Sequence, residues 1–283
     1  MDVARLLSGG LRRLVSNDVQ PNLGGRRARV LTVCAQKGGV GKTTTAVNVA
    51  CALALHHHKK VLLIDIDSQG HVYTSLRNEI GYLGSERLSQ VILAKKRDVF
   101  EIVVPTKVQN LYVVPPDKQL NDTEIQLSSR IGKEFVLRNA LRVARTHFDV
   151  IVIDCPPNMG NLTLNALLAA DSLLIPCDLS MLSLEGVDDI FSTVETIGDT
   201  LGHYVRVAGI VITRVDRRNV TMNQTILETL ESRYGEMLFD EQISVNTSLN
   251  KAQLAGQSIF GYEPESTGAQ NYRALTDSLV TRL

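Results

Sequence analysis

No Cys-x-x-C pair occurs in this chain, no charge of one sign prevails, and no apolar run is long enough to cross a membrane. The four cysteines, Cys34, Cys51, Cys155 and Cys177, each lie in or beside an apolar segment. That placement argues for buried, reduced thiols and against metal or cluster ligation. Thirty Lys and Arg balance thirty Asp and Glu, so overall charge points to neither nucleic acid nor membrane, and any such binding needs a local patch. The N-terminal residues lack the long apolar stretch of a secretion signal, and a cytoplasmic protein is expected. Linkers, repeats and low-complexity tracts are missing from residues 29–283, so one domain is expected there, with residues 1–28 as a basic extension. What is present is a globular composition, 44% hydrophobic and 21% charged over 283 residues, enough for a full α/β core.

Apolar β-rich runs alternate with longer helical patterns. The runs "RVLTVCA" (29–35), "VLLIDID" (61–67), "LYVVPP" (111–116), "DVIVIDCPP" (149–157), "SLLIPC" (172–177) and "VRVAGIVITR" (205–214) read as strands. Helices are expected over 43–55, 134–146, 182–197 and 220–234, and a packed terminal helix over 272–283. Continuous apolar strands separated by helices predict an α/β fold: a mostly parallel, twisted sheet with helices on both faces. "HHHKK" (56–60) falls between a helix and a strand, where three adjacent side chains diverge; a solvated loop is expected rather than a metal site.

The stretch "AQKGGVGKTTT" (35–45) follows a strand and opens a helix, the context a phosphate-binding loop requires. Gly38, Gly39 and Gly41 let the backbone turn its N–H groups toward phosphate oxygens, with Val40 between them. The helix start adds its dipole. Lys42 is placed to meet β- and γ-phosphates, the Thr43 hydroxyl to ligate Mg²⁺, and Thr44 to continue the phosphate cradle. Carboxylates at strand ends add to this, because ligands of such sheets sit beyond the carboxyl ends of strands. Asp154 ends "VIVID" and would hold Mg²⁺ through water; Asp65 and Asp67 end "LLIDID", where a carboxylate could orient an attacking water.

These motifs, "KGGVGKTTT" (37–45), "VLLIDIDSQG" (61–70), "FDVIVIDCPPNMGNLTLNALLAADSLLIPC" (148–177) and "GAQNYRAL" (268–275), resemble the ParA/MinD family of deviant Walker A ATPases, and most of all its ParA/Soj branch. Two positions depart from the branch pattern, Ser68 standing for proline and Asn158 for serine. The resemblance implies an ATP hydrolase with ATP and Mg²⁺ as cofactors, slow and stimulated by a ParB-like or other cargo adaptor. It implies a homodimer in the ATP state, with Lys37 reaching the partner's nucleotide and Asp67 as the hydrolytic aspartate. It also implies non-specific DNA binding, a nucleoid-associated location, and the positioning or segregation of DNA or another cargo.

Candidate DNA contacts are Arg217, Arg218, Lys251 and Arg273. The familiar basic segment is depleted here, with Val245 and Ser248 where the branch carries arginines and Lys251 where it carries glutamate. Residues 203–283 hold eight Lys and Arg against nine Asp and Glu, so this part of the chain is not basic. Other members of the wider fold fit less well. A MinD-like membrane ATPase needs a basic amphipathic terminal helix, and "YRALTDSLVTRL" offers Arg273 and Arg282 alone, so a membrane partner is not expected. A relative of the nitrogenase iron protein needs cluster cysteines, and a related tyrosine kinase a tyrosine-rich tail, whereas the seven tyrosines are scattered. In the extension, Leu7, Leu11, Leu14 and Val15 fall at helical spacing beside Arg12 and Arg13, while Gly9 and Gly10 oppose a helix by about 1 kcal/mol each. An accessory contact to DNA or adaptor is the expectation for it.

Overall fold

A computed structural model describes residues 27–94, 96–216 and 220–283. The segment 1–26 and two DNA-contact candidates, Arg217 and Arg218, lie outside the described residues. Eight strands form one sheet: β1 (Arg29–Val33), β2 (Val61–Asp65), β3 (Val104–Pro105), β4 (Leu111–Val113), β5 (Val150–Asp154), β6 (Ser172–Asp178), β7 (Arg206–Val215) and β8 (Leu238–Ser244). Their order is β3-β4-β2-β5-β1-β6-β7-β8. Every pairing is parallel except the short β3–β4 edge.

Alternation along the strands builds a core on each face. Leu62, Ile64, Ile151 and Ile153 point to one face, and Val61, Leu63, Val150 and Val152 to the other. The helices, in chain order, are α1 (Lys42–Leu55), α2 (His71–Leu76), α3 (Leu88–Leu93), α4 (Leu120–Ser128), α5 (Val136–Ala140), α6 (Ala144–His147), α7 (Asn161–Ala169), α8 (Met181–Leu201), α9 (Val220–Tyr234), α10 (Thr247–Ala255), α11 (Ile259–Tyr262) and α12 (Thr267–Thr281). Helices α3 to α9 serve the first face, and α1, α2 and α10 to α12 the second. Helix α1 is buried almost all round, which is why small residues (Ala46, Ala50, Ala54) dominate it. Helix α12 closes over it, with the Thr45 hydroxyl 3.2 Å from the Tyr272 hydroxyl and Leu275 and Leu279 fully buried. The terminal helix is therefore a core element.

Several elements end earlier than their apolar runs. Strand β2 stops at Asp65 because both Asp65 oxygens accept backbone N–H groups, from Asp67 (2.9 Å) and Val72 (3.0 Å), and these bonds turn the chain. The helix expected over 134–146 is broken into a 3₁₀ turn (Lys133–Phe135), α5 and α6. The cause is Asp98, whose carboxylate accepts the N–H groups of Val143 (2.7 Å) and Ala144 (3.1 Å) and so takes donors a continuous helix would use. Strands β3 and β8 and helices α2 to α4, α7, α10 and α11 are additions to the sequence reading. The four cysteines are free and buried. Residues 56–60 form a turn, in which His57 Nε2 lies 2.9 Å from Asp277 Oδ1. Among the described residues no helix is long and apolar enough to cross a membrane. Ala28 is buried and donates its N–H to Arg145 O at 2.7 Å, so the packed body starts no later than that residue.

Candidate functional site

The carboxyl ends of β1, β2 and β5 come together at the middle of the sheet, where register places Asp154 level with Val33 and with Asp65. Beyond them opens a cleft of about 680 Å³, lined by Gly38, Gly39, Gly41, Lys42, Thr43, Thr44 and Asp67 on one side and by Arg214, Asn246 and Gln253 on the other. That volume is in the range of small-molecule and cofactor sites.

The loop from Cys34 to Gly41 takes its path from two glycines in the left-handed region, Gly39 at φ 80° and Gly41 at φ 85°. Any other residue would strain both turns. Space beside Gly38 and Gly41 is open, so the backbone faces the cleft without obstruction. Lys42, the first residue of α1, is buried and donates from Nζ to the carbonyl of Lys37 at 2.8 Å, folding back over the loop. Burial lowers its pKa, and the charge of Asp154 opposes that shift. Val40 is buried and contributes backbone alone, its carbonyl accepting the Thr213 hydroxyl at 2.7 Å.

Next to Lys42, the Thr43 hydroxyl donates to Asp154 Oδ2 at 2.7 Å. Asp154 is fully buried, and its other oxygen, Oδ1, has no hydrogen-bond partner. Burial pushes this carboxyl well above the usual range and the nearby Asp65 adds to it, against the Thr43 hydrogen bond and the Lys42 charge. An orphaned carboxylate oxygen beside a threonine hydroxyl and a lysine is a costly arrangement unless a cation completes it. The donor set, hard oxygens next to a glycine-rich anion cradle, fits Mg²⁺ held together with phosphate.

The two aspartates that the sequence leaves paired part company. Asp65 is buried, with both oxygens spent on the turn, and burial raises its pKa to about 7. Asp67 is half-buried on the cleft wall, where one oxygen accepts the Gln69 N–H at 3.0 Å. Of the two, Asp67 is the one that could polarise a water in the cleft. The loop carrying it is tied to α4 by the Ser68 hydroxyl, which donates to Asn121 Oδ1 at 2.8 Å.

The Lys37 carbonyl meets Lys42, but the Lys37 side chain is directed elsewhere. Its Nζ lies 2.9 and 3.1 Å from the two oxygens of Asp178, at the end of β6, and 2.9 Å from the Ser180 hydroxyl that caps α8. The sequence reading missed Asp178, Ser180 and Arg214. Arg214, at φ 55°, donates from Nη1 to Gly39 O at 2.7 Å and so braces the loop from the opposite wall. Its position after "AGIVIT", a strand expected to end at the site, is the signal that could have found it. Of the described DNA-contact candidates, Lys251 is exposed on α10, whereas Arg273 on α12 is half-buried with its Nε out of solvent and without a partner.

Comparison with known proteins agrees with this geometry. The AAA_31 family, described as AAA domain, matches residues 28–207. The sporulation initiation inhibitor protein Soj of Bacillus subtilis is 36% identical over 252 residues, covering 89% of this chain and 98% of Soj. The chromosome partitioning protein ParA of Myxococcus xanthus is 35% identical over 257 residues, covering 90% of this chain and 88% of ParA. Among solved structures, cobyrinic acid a,c-diamide synthase from Mycobacterium smegmatis, with bound ATP analog and magnesium, superposes with a TM-score of 0.74 at 30% identity and covers 89% of this chain and 94% of that one. With a matched family over most of the chain and the loop geometry in place, this chain belongs to the ParA/MinD family of deviant Walker A P-loop ATPases, on its ParA/Soj side.

Proposed function

We propose that this protein is an ATP-driven positioning ATPase that works as a nucleotide-gated dimer. ATP with Mg²⁺ occupies the central cleft: Gly38 to Gly41 supply backbone N–H groups, Lys42 and Thr44 meet the phosphates, and Thr43 and Asp154 hold the metal. Bound Mg²⁺ neutralises phosphate charge, and Asp67 orients the attacking water. The observation that carries the reading is the Thr43 hydrogen bond to buried Asp154, whose Oδ1 is an orphan, set beside the glycine loop and Lys42. It is the arrangement a Mg²⁺-nucleotide completes.

In this reading Lys37 leaves Asp178 and reaches the nucleotide of a second subunit, so that ATP holds two copies face to face. The dimer binds DNA without sequence preference, a cargo adaptor of the ParB kind stimulates a slow hydrolysis, and hydrolysis separates the subunits. Relatives named for chromosome partitioning support a DNA or DNA-tethered cargo.

Sedimentation and DNA binding with ATP, ADP and no nucleotide test the cycle. Lys42→Ala should lose ATP binding. Lys37→Ala should bind ATP and stay monomeric, and Asp67→Ala should dimerise but release phosphate poorly. Normal turnover by the Asp67 variant, or ATP-dependent dimers of the Lys37 variant, would overturn the assigned roles.

A further inference from the structure

A second cavity, of about 320 Å³, opens away from the nucleotide cleft. It lies between the end of α3, the turn around Lys96 to Asp98, and the broken helix α5–α6. Two residues separate helix α6 from β5, and Arg145 O receives the N–H of Ala28, just ahead of β1. The cavity thus sits near the amino ends of the strands, while the nucleotide cleft is at their carboxyl ends.

Its lining is cationic. Lys96, Arg97, Arg130 and Arg142 face it, with Asp98 as the one acid among the described residues. That acid is spent on structure: its carboxylate accepts the N–H groups of Phe100, Val143 and Ala144. Arg97 is neutralised by Glu86 and Glu101. Arg130 is anchored by the carbonyls of Ile92 (3.3 Å) and Leu93 (3.1 Å), which hold its guanidinium in place without cancelling its charge. Lys96 and Arg142 are exposed and make no hydrogen bond or ion pair among the described residues. Three cations therefore converge on one opening with no carboxylate assigned to them. The charge continues outside it, since residues 128–147 carry five Lys and Arg against one acidic residue, in a chain whose net charge is zero.

We infer that this cavity and its rim, through Lys96, Arg130 and Arg142, bind phosphodiester groups of a nucleic-acid backbone. A phosphate needs converging, unneutralised donors, and an arginine held at a fixed angle supplies them better than a free one. The run of cations beyond the opening suits a polymer of phosphates rather than a single small anion. Asn139 at the rim adds a neutral donor, and among the described residues no aromatic side chain lines the cavity for base stacking, so the contact would be independent of sequence. The inference rests on the DNA-binding part of the proposed function and relocates its contact, because the C-terminal region is not basic.

The test uses the full chain with ATP and Mg²⁺, and the variant Lys96→Glu/Arg142→Glu, which alters two exposed residues remote from the cleft. Fluorescence anisotropy on two unrelated duplexes is followed through a salt titration. The expected result is a loss of tenfold or more on both duplexes alike and a fall of about 2 per DNA-contacting subunit in the slope of log K against log salt, near 0.9 for each phosphate no longer neutralised, with basal ATP turnover unchanged. If the wild type binds DNA and the variant matches it in affinity and slope, the location is wrong while the DNA reading stands. If the wild type binds DNA in no nucleotide state, that reading fails and takes the inference with it. If pyrophosphate, added with the cleft already saturated by ATP and Mg²⁺, raises the melting temperature of the wild type more than that of the variant, and DNA affinity is equal in both, the site takes small anions and the inference is overturned.

Discussion

Lys37 is held in a pocket of its own subunit, and that ion pair sets a cost for any reach toward a partner. Nζ touches both oxygens of Asp178 and the Ser180 hydroxyl. The side chains are 29% and 20% exposed, so the pair is neither fully screened nor fully buried. Hydrogen bonds to charged groups contribute about 1.5–3 kcal/mol, and exposed pairs about 0–1. An intermediate value of about 1–2 kcal/mol per subunit follows from that exposure. In the proposed dimer two lysines would move, so the total of about 2–4 kcal/mol corresponds to roughly 30- to 1000-fold in the dimer dissociation constant. Asp178→Asn keeps the shape and one acceptor oxygen while removing the charge. It should tighten ATP-dependent dimerisation by at least about tenfold, below that range because the retained acceptor keeps part of the interaction. Analytical ultracentrifugation with ATP and Mg²⁺ reads this directly. The double variant Lys37→Ala/Asp178→Asn should show no gain. Burial works to raise the Asp178 pKa, but hydrogen bonds from Ser180, Ser183 and Lys37 outweigh it and hold the carboxyl below its ordinary value. The ion pair is therefore present above the unfolded carboxylate pKa and disappears only as pH falls through the lower, folded one, so the factor should not change across neutral pH. A single variant whose dimer is no tighter than wild type, or a gain that survives removal of Lys37, would refute the reasoning.

Three further outcomes are expected. Asp154→Asn removes a buried carboxyl whose ionisation burial opposes and whose Oδ1 is unpartnered, so the nucleotide-free protein should melt at least about 2 °C higher, the response to roughly 1 kcal/mol in a protein of this size; the same variant should lose the Mg²⁺ dependence of ATP affinity, and a lower melting temperature by calorimetry would count against the site. Arg214→Gly relieves a backbone at φ 55°, a strain of about 1 kcal/mol or more, but cuts the brace on Gly39; it should be more stable than Arg214→Ala while both bind ATP about fivefold or more weakly, the value of about 1 kcal/mol of missing bracing, as calorimetric titration would show. Burial raises the Asp65 pKa to about 7 from 3.8, so its favourable contribution is complete below the unfolded value and is lost as pH rises through 7; without Mg²⁺, wild type should lose stability relative to Asp65→Asn between about pH 5 and pH 8, and parallel pH profiles would exclude this.

What could be read from the sequence is what the chain builds from neighbours in sequence. The nucleotide loop is such a case: Gly39 and Gly41 permit the turns, Lys42 and Thr43 follow at once, and β1 and α1 bracket them within 27 residues. The parallel sheet was legible for the same reason, since each buried strand carries its own continuous apolar run. Strand β8, "LFDEQIS", was not, because an edge strand buries few of its residues and its pattern thins accordingly. Contacts between distant segments left no local mark. Asp98 breaks a helix 45 residues later, Lys37 rests on a carboxylate 141 residues away, and Arg214 braces a glycine 175 residues before it. The case of Asp65 and Asp67 is subtler. Both end the same apolar run, and either could be the group that handles water. What separates them is which carboxylate the turn consumes, and that is decided by the N–H groups of Asp67 and Val72 both pointing back at Asp65. A carboxylate that has already accepted two backbone donors and lies out of solvent is poorly placed to orient a water in the cleft, which leaves Asp67, the residue the resemblance points to, as the freer of the two, with its loop held by a serine–asparagine contact that a proline at position 68 could not make.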